Sequence, residues 1–155
     1  MSGFNRLKHQ KTDLLTKEKN SLQKLSRSLK RLFSKATKRD KSAMFYNKLR
    51  RYLAPKSKVL DIGCGDSSFI CKAKDDFICT GIEISEYLAS LARNRPGIKI
   101  ITGNFLNIDF MNERYDGITL ISILEHLDDP LAAITKCFEL LNGKGILLLK
   151  THNFI

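Results

Sequence analysis

Two glycines and three carboxylates on a tight spacing carry the chemistry this sequence offers. Asp61, Gly63, Gly65 and Asp66 fall within Val59-Leu60-Asp61-Ile62-Gly63-Cys64-Gly65-Asp66-Ser67-Ser68-Phe69, and Glu83 stands eighteen positions after Gly65. The first run reads as a buried strand, a glycine-rich turn and the opening of a helix. A second strand, Phe77 to Ile82, leads into Gly81-Ile82-Glu83-Ile84-Ser85. Glycines let a ligand approach the backbone, and a carboxylate at the end of the second strand accepts from ribose hydroxyls. The pattern is that of a nucleoside pocket.

Charge selects among nucleosides. A dinucleotide would set its pyrophosphate on the turn, where Asp61 and Asp66 repel it. The third glycine of Gly-x-Gly-x-x-Gly is also replaced, by Ser68. S-adenosylmethionine has no phosphate and carries a sulfonium and an ammonium, so carboxylates at the turn favour it.

Two later segments complete the set. One is Tyr115-Asp116-Gly117-Ile118-Thr119-Leu120-Ile121-Ser122-Ile123-Leu124-Glu125-His126-Leu127-Asp128-Asp129-Pro130, and the other is Leu140-Leu141-Asn142-Gly143-Lys144-Gly145-Ile146-Leu147-Leu148-Leu149-Lys150. Taken together, these four motifs resemble the class I S-adenosylmethionine-dependent methyltransferases. The likeness runs from about Phe45 to Asn153. It is strongest to the branch of ubiquinone-biosynthesis O-methyltransferases and the methyltransferases of bacterial cell-surface glycan pathways.

The resemblance implies an α/β fold, a Rossmann-like parallel sheet in the order 3-2-1-4-5 with flanking helices. It implies S-adenosyl-L-methionine as cofactor and a small-molecule or lipid- or glycan-linked acceptor. Asp61 then holds the turn and faces the methionine end, while Gly63, Cys64 and Gly65 give the cofactor their backbone. Glu83 takes the ribose hydroxyls, with Ile84 beside it. Asn104 stands where relatives carry an acid for the adenine amino group. Phe105 either stacks on adenine or belongs to the core. Ile121 and Ser122 close over the methionine portion. Ser67 replaces the family's usual third glycine.

His126 is the candidate general base, because an imidazole can take a proton from a hydroxyl near neutral pH. Glu125 and His126 serve alternatively as a polar pair organising the loop, or, on the weaker ground of two adjacent ligands alone, to hold a metal with a catechol-like acceptor. His152 follows the fifth strand. No metal site is expected: Cys64, Cys71, Cys79 and Cys137 form no Cys-x-x-Cys pair and lack histidines at zinc-like spacing. No Asn-Pro-Pro-Tyr-type tetrapeptide follows the fourth strand, which argues against methylation of base amino groups.

The elements that must position these residues follow from periodicity. Strands are expected near 57–62, 77–83, 98–102, 115–121 and 145–150, with helices near 67–74, 86–94 and 130–141. Such alternation builds a parallel sheet with right-handed crossovers. A further helix over 43–53 carries Phe45, Leu49 and Leu53 on one side and stops before Pro55. The resembled core has two more strands after the fifth, whereas this sequence stops at Ile155. Strand five is therefore expected as an apolar edge open to self-association. A fragment, a truncated non-catalytic cofactor-binding module and one half of a two-chain enzyme all satisfy that observation.

Charge is distributed unevenly over the 155 residues. Residues 1–58 carry 18 Lys and Arg against three acids, whereas the rest carry nine against 13. The boundary divides a basic arm, 1–41, from the domain at 42–155. Within the arm Leu22, Leu25, Leu29, Leu32 and Phe33 share one side of an amphipathic helix, with Ser21 as its N-cap. That helix suits packing on the domain or contact with an anionic membrane surface; nucleic acid is less favoured, because no aromatic residues interleave the charge. Four cysteines without a disulfide framework and no signal-like or spanning apolar run lead to a cytoplasmic expectation. Deleting residues 1–41 is expected to leave the sheet folded and to abolish salt-sensitive adsorption to anionic vesicles. Co-sedimentation at low and high salt, with circular dichroism of the variant, checks both halves.

Overall fold

The computed structural model describes residues 41–151, within a unit spanning Lys41–Ile155. The amphipathic helix expected over Leu22 to Phe33 and His152 lie outside the described residues. The elements run α1 (Lys41–Leu49), β1 (Lys58–Ile62), α2 (Ser68–Ala73), β2 (Ile78–Glu83), α3 (Glu86–Arg93), β3 (Lys99–Thr102), β4 (Tyr115–Ile121), α4 (Pro130–Leu140) and β5 (Leu141–Lys150). Short 3-10 turns occupy Phe105–Asn107 and Leu124–His126.

The five strands pair in parallel in the order β3-β2-β1-β4-β5. β1 therefore lies between the two directions in which the sheet grows, and the crevice at its carboxyl end is where α/β sheets hold ligands. Strand alternation sorts the core into two layers. Leu60, Ile62, Ile118 and Leu120 face Ala133, Cys137 and Leu140 of α4, together with Phe105 and Phe110. Val59 and Cys79 face the other way, onto Phe45 and Leu49 of α1 and Phe69, Ile70 and Ala73 of α2. Each fully buried Leu or Ile contributes about 1.5–3 kcal/mol, so these two layers dominate the stability of the sheet.

Two boundaries differ from the sequence expectation. The first helix ends at Leu49, and the amides of Tyr52 and Leu53 both donate to the Leu49 carbonyl in a closing turn. Phe45 and Leu49 are buried as expected; Tyr46 and Arg50 bind Asp76 and fasten the helix to the loop before β2. β5 begins at Leu141 rather than near 145. Tyr115 pairs with Leu141 and Gly117 pairs with Ile146, so the intervening residues form a bulge. Among the described residues β5 pairs with β4 alone, and Leu149 on it is 41% exposed.

Candidate functional site

The site is built from the ends of β1, β2 and β4. After β1 the chain turns back under β2: the amides of Gly63 and Cys64 both donate to the Ile82 carbonyl at 2.9 Å. Gly63 has φ +71, and an added Cβ would lie 2.6 Å from Cγ1 of Ile123. Both the conformation and the close approach require glycine there. Ile123 thus packs on the turn from the β4 side, a contact that nothing in the sequence pattern signals.

Glu83 ties the turn to β2. Its Oε2 accepts from the Gly65 amide and its Oε1 from the Ser85 amide, each at 2.9 Å. The residue is 7% exposed, so it is a buried, hydrogen-bonded carboxylate rather than a solvated acid. Each oxygen keeps a lone pair for a further donor. Ser85 caps α3 by accepting from the Leu88 amide, and this orders the backbone immediately beyond Glu83.

Asp61 is 3% exposed and lies between β1 and β4, where its strand partner Thr119 donates a 2.5 Å hydrogen bond to Oδ1. Burial pushes its carboxyl up to about 7; the Thr119 bond works against that shift, and the charge of Glu83 adds to it. Asp66 is held the other way. The Ser68 hydroxyl and amide both donate to its Oδ1 and lower its acidity range despite partial desolvation, with Arg95 contributing from 3.8 Å. The turn therefore carries acids on both sides. Cys64 points into the α2 layer, near Gly81, and burial with three neighbouring carboxyls pushes its thiol up to about 12. A thiol held that high is not a nucleophile at neutral pH.

Ser67 is fully buried in a left-handed conformation, φ +59, and its hydroxyl donates to the Asp66 carbonyl without capping α2. An L-residue pays about 1–2 kcal/mol there, against about 0.5–1 kcal/mol of extra chain entropy for glycine. Ser67→Gly is accordingly expected to be about 1 kcal/mol more stable than Ser67→Ala: both lose the hydroxyl bond, but only alanine retains the strain. Urea midpoints of the two variants measure the difference.

A cleft of about 190 Å³ opens above this turn. Gly63, Glu83, Ile84, Asn104 and Phe105 line it together with His126. Ile84 is 68% exposed and presents an apolar surface beside Glu83. Asn104 turns its Oδ1 onto the Leu106 amide at 3.0 Å, so the oxygen expected to serve adenine already orders the loop. Phe105 is 3% exposed and packs edge-on against Phe110 with centroids 5.9 Å apart, so its ring belongs to the core while the residue borders the cleft.

Asp61, Cys64, Gly65, Ile121 and Ser122 are outside the cleft lining. Ile121 packs against the α1–α2 layer. Ser122, at φ +55, donates its amide to the Lys150 carbonyl and accepts from Lys150 Nζ. His126 shares the cleft with Asn104 and Asp128. Thr119 and Lys150 were not signalled by any motif. A shallower hollow of about 860 Å³ lies at the amino ends of β1, β3 and β4, but its groups pair with each other: Lys58 with Glu113 at 2.9 Å, Asn142 with Asp116 at 2.6 Å. No metal cluster occurs among the described residues.

A parallel sheet with a tight glycine turn at its switch point and a buried carboxylate closing the neighbouring strand defines a Rossmann-like nucleoside-binding protein. The chain matches the model of the methyltransferase domain family over residues 18–154, most of its length, and belongs to that family. A ubiquinone biosynthesis O-methyltransferase of Coxiella burnetii is 34% identical over 101 residues, covering 61% of this chain and 43% of that enzyme. A Histophilus somni enzyme of the same name is 34% identical over 107 residues, covering 62% and 45%. The chain spans under half the length of these curated relatives. Among solved structures, the amino pentose methyltransferase CalS10 of Micromonospora echinaspora, with S-adenosylmethionine bound, superposes with a TM-score of 0.66 at 25% identity. That match covers 74% of this chain and 51% of CalS10.

Proposed function

We propose that this chain is an S-adenosylmethionine-dependent methyltransferase domain that transfers a methyl group to a hydroxyl of a small-molecule or lipid- or glycan-linked acceptor. The observation that carries the reading is Glu83, buried at the end of β2 with both oxygens on backbone amides and a lone pair left on each. The curated relatives favour oxygen as the methylated atom.

Each residue then has a task. Gly63 and Gly65 bring bare backbone to the nucleoside, and Glu83 accepts from the two ribose hydroxyls with charge-assisted bonds. Ile84 covers one adenine face, and Asn104 holds the opposite loop. The bound S-adenosylmethionine supplies a methyl carbon already activated by its sulfonium. Asp61, Asp66 and Glu83 set a negative potential that favours that cation over a pyrophosphate. The displacement is in line, so holding the acceptor oxygen and the methyl carbon in alignment supplies much of the rate. His126 takes the hydroxyl proton where the acceptor must lose one.

Incubating the full chain with S-adenosylmethionine and panels of catechol, glycan and lipid-linked hydroxyl acceptors, with mass spectrometry of the products, tests the reading. A gain of one methyl on oxygen is the expected result. Absence of binding to both S-adenosylmethionine and S-adenosylhomocysteine by calorimetry would overturn the assignment at the level of the cofactor.

A further inference from the structure

Lys136 is the polar side chain of α4 that the sheet's core does not explain. From the second turn of that helix its Nζ donates to the Leu106 carbonyl at 2.8 Å and to the Ile108 carbonyl at 2.7 Å. The same ammonium stands 5.3 Å from the ring centroid of Phe105 and 5.2 Å from that of Phe110. Two carbonyls and two aromatic faces thus converge on one cation, and all four belong to the segment between β3 and β4. The near end of that segment, Gly103 to Leu106, forms one wall of the nucleoside cleft.

We propose that Lys136 is a positioning residue for the cofactor, a cationic pin driven from α4 that fixes the adenine-side wall of the cleft from behind. The inference rests on the S-adenosylmethionine reading of that cleft. Besides core packing, the segment's other ties lie at its start or are local: the Gly103 amide donates to the Glu83 carbonyl at 3.0 Å, the Asn104 side chain accepts from the Leu106 amide, the Asn104 carbonyl takes the Asn107 amide, and the Phe105 carbonyl takes the Ile108 amide at a long 3.4 Å. The 3-10 turn is only three residues, so its geometry depends on tertiary partners. Charged donors to carbonyls are worth roughly twice neutral ones, and cation–π contact with two rings adds to them. Phe105 is therefore a core residue whose ring also seats the pin.

The pin needs its proton. Withdrawal from water lowers the lysine's affinity for it, while Asp109, midway along the segment, and Glu139, one turn along α4, oppose that loss. Arginine at this position can stack on the same rings, reach both carbonyls and stay charged throughout the accessible range.

The test is calorimetric titration of the full chain with S-adenosylhomocysteine, in wild type, Lys136→Met and Lys136→Arg, from about pH 7 to about pH 10. Lys136→Met, which keeps the length of the stem, is expected to raise Kd about tenfold at pH 7. Lys136→Arg is expected to bind like wild type at pH 7 and to lose less affinity at the alkaline end. Melting temperatures without ligand separate packing from positioning. A Met variant that melts earlier yet binds within about twofold of wild type shows a packing role and overturns the proposal. Equal alkaline loss in wild type and Lys136→Arg overturns it as well, because the titrating group is then another. Wild type that binds no S-adenosylhomocysteine at pH 7 overturns the methyltransferase reading itself, which is a separate outcome.

Discussion

Glu83→Ala is expected to remove nearly all affinity for S-adenosylhomocysteine, by two to three orders of magnitude or about 3–4 kcal/mol. Two contributions combine. The ribose hydroxyls lose a charged acceptor, and the amides of Gly65 and Ser85 lose theirs, so the turn that the nucleoside touches is released at the same time. Two half-buried amides without partners cost about 1–3 kcal/mol each, so the ligand-free melting temperature of this variant should also fall. Glu83→Gln distinguishes the two effects. Its amide retains one acceptor oxygen and places an NH2 group against the second backbone donor, so the turn stays partly tied while the ribose loses the charge. Because that NH2 faces a donor, one backbone amide stays unpaired, and an affinity loss of about tenfold with an apo melting temperature between those of wild type and Glu83→Ala is expected for Gln. Wild-type affinity in either variant would remove ribose from the list of Glu83 partners.

The fold was legible because the chemistry of a buried parallel strand is monotonous. Val59-Leu60, Ile118-Thr119-Leu120 and Ile146 to Leu149 are apolar runs bounded by turns, and such runs place strands within a residue or two. The start of β5 is not legible because Asn142-Gly143-Lys144-Gly145 reads as a turn; it is a bulge inside the strand, and the Tyr115–Leu141 pair that proves it is a tertiary fact. The end of the first helix is not legible because Leu53 keeps the apolar spacing, yet Leu53 packs from a turn and not from a helix.

The site was legible only in part, for a different reason. Sequence motifs report residues whose type is forced by local geometry, as Gly63 is by its positive φ. They do not report partners brought in by register. Thr119 meets Asp61 because β1 and β4 pair with those two residues side by side, and a threonine in an apolar run otherwise reads as an ordinary strand former. Lys136 was hidden by the amphipathic pattern of α4, where a lysine is taken for a solvated face. Phe105 is ambiguous in the sequence because an aromatic residue beside a nucleotide site serves stacking and core equally well, and its core packing is visible only in the structure.

Asp61 makes stability depend on pH in the direction opposite to most carboxylates. Its folded value is raised to about 7 from 3.8, so the folded chain holds this proton more tightly than the unfolded chain does. Stability therefore falls as pH rises above about 3.8, and the full penalty is in place above about 7. The penalty is on the order of 4 kcal/mol, a large share of the 5–15 kcal/mol typical of a domain. Asp61→Asn cannot ionise and can still accept from Thr119, but it buries an amide NH2 without an assigned acceptor, costing about 1–3 kcal/mol. The two stability curves should cross, with the Asn variant weaker near pH 5 and stronger near pH 8. Urea midpoints across that range show whether they do, and parallel curves would exclude Asp61 as the group responsible. The same proton bears on the cofactor, because a bound sulfonium favours the ionised carboxylate while the neutral thioether of S-adenosylhomocysteine does not. The affinity ratio of S-adenosylmethionine to S-adenosylhomocysteine should consequently rise from pH 6 to pH 8 in wild type and stay flat in Asp61→Asn. A ratio that is flat in both would place the sulfonium beyond the reach of the Asp61 charge.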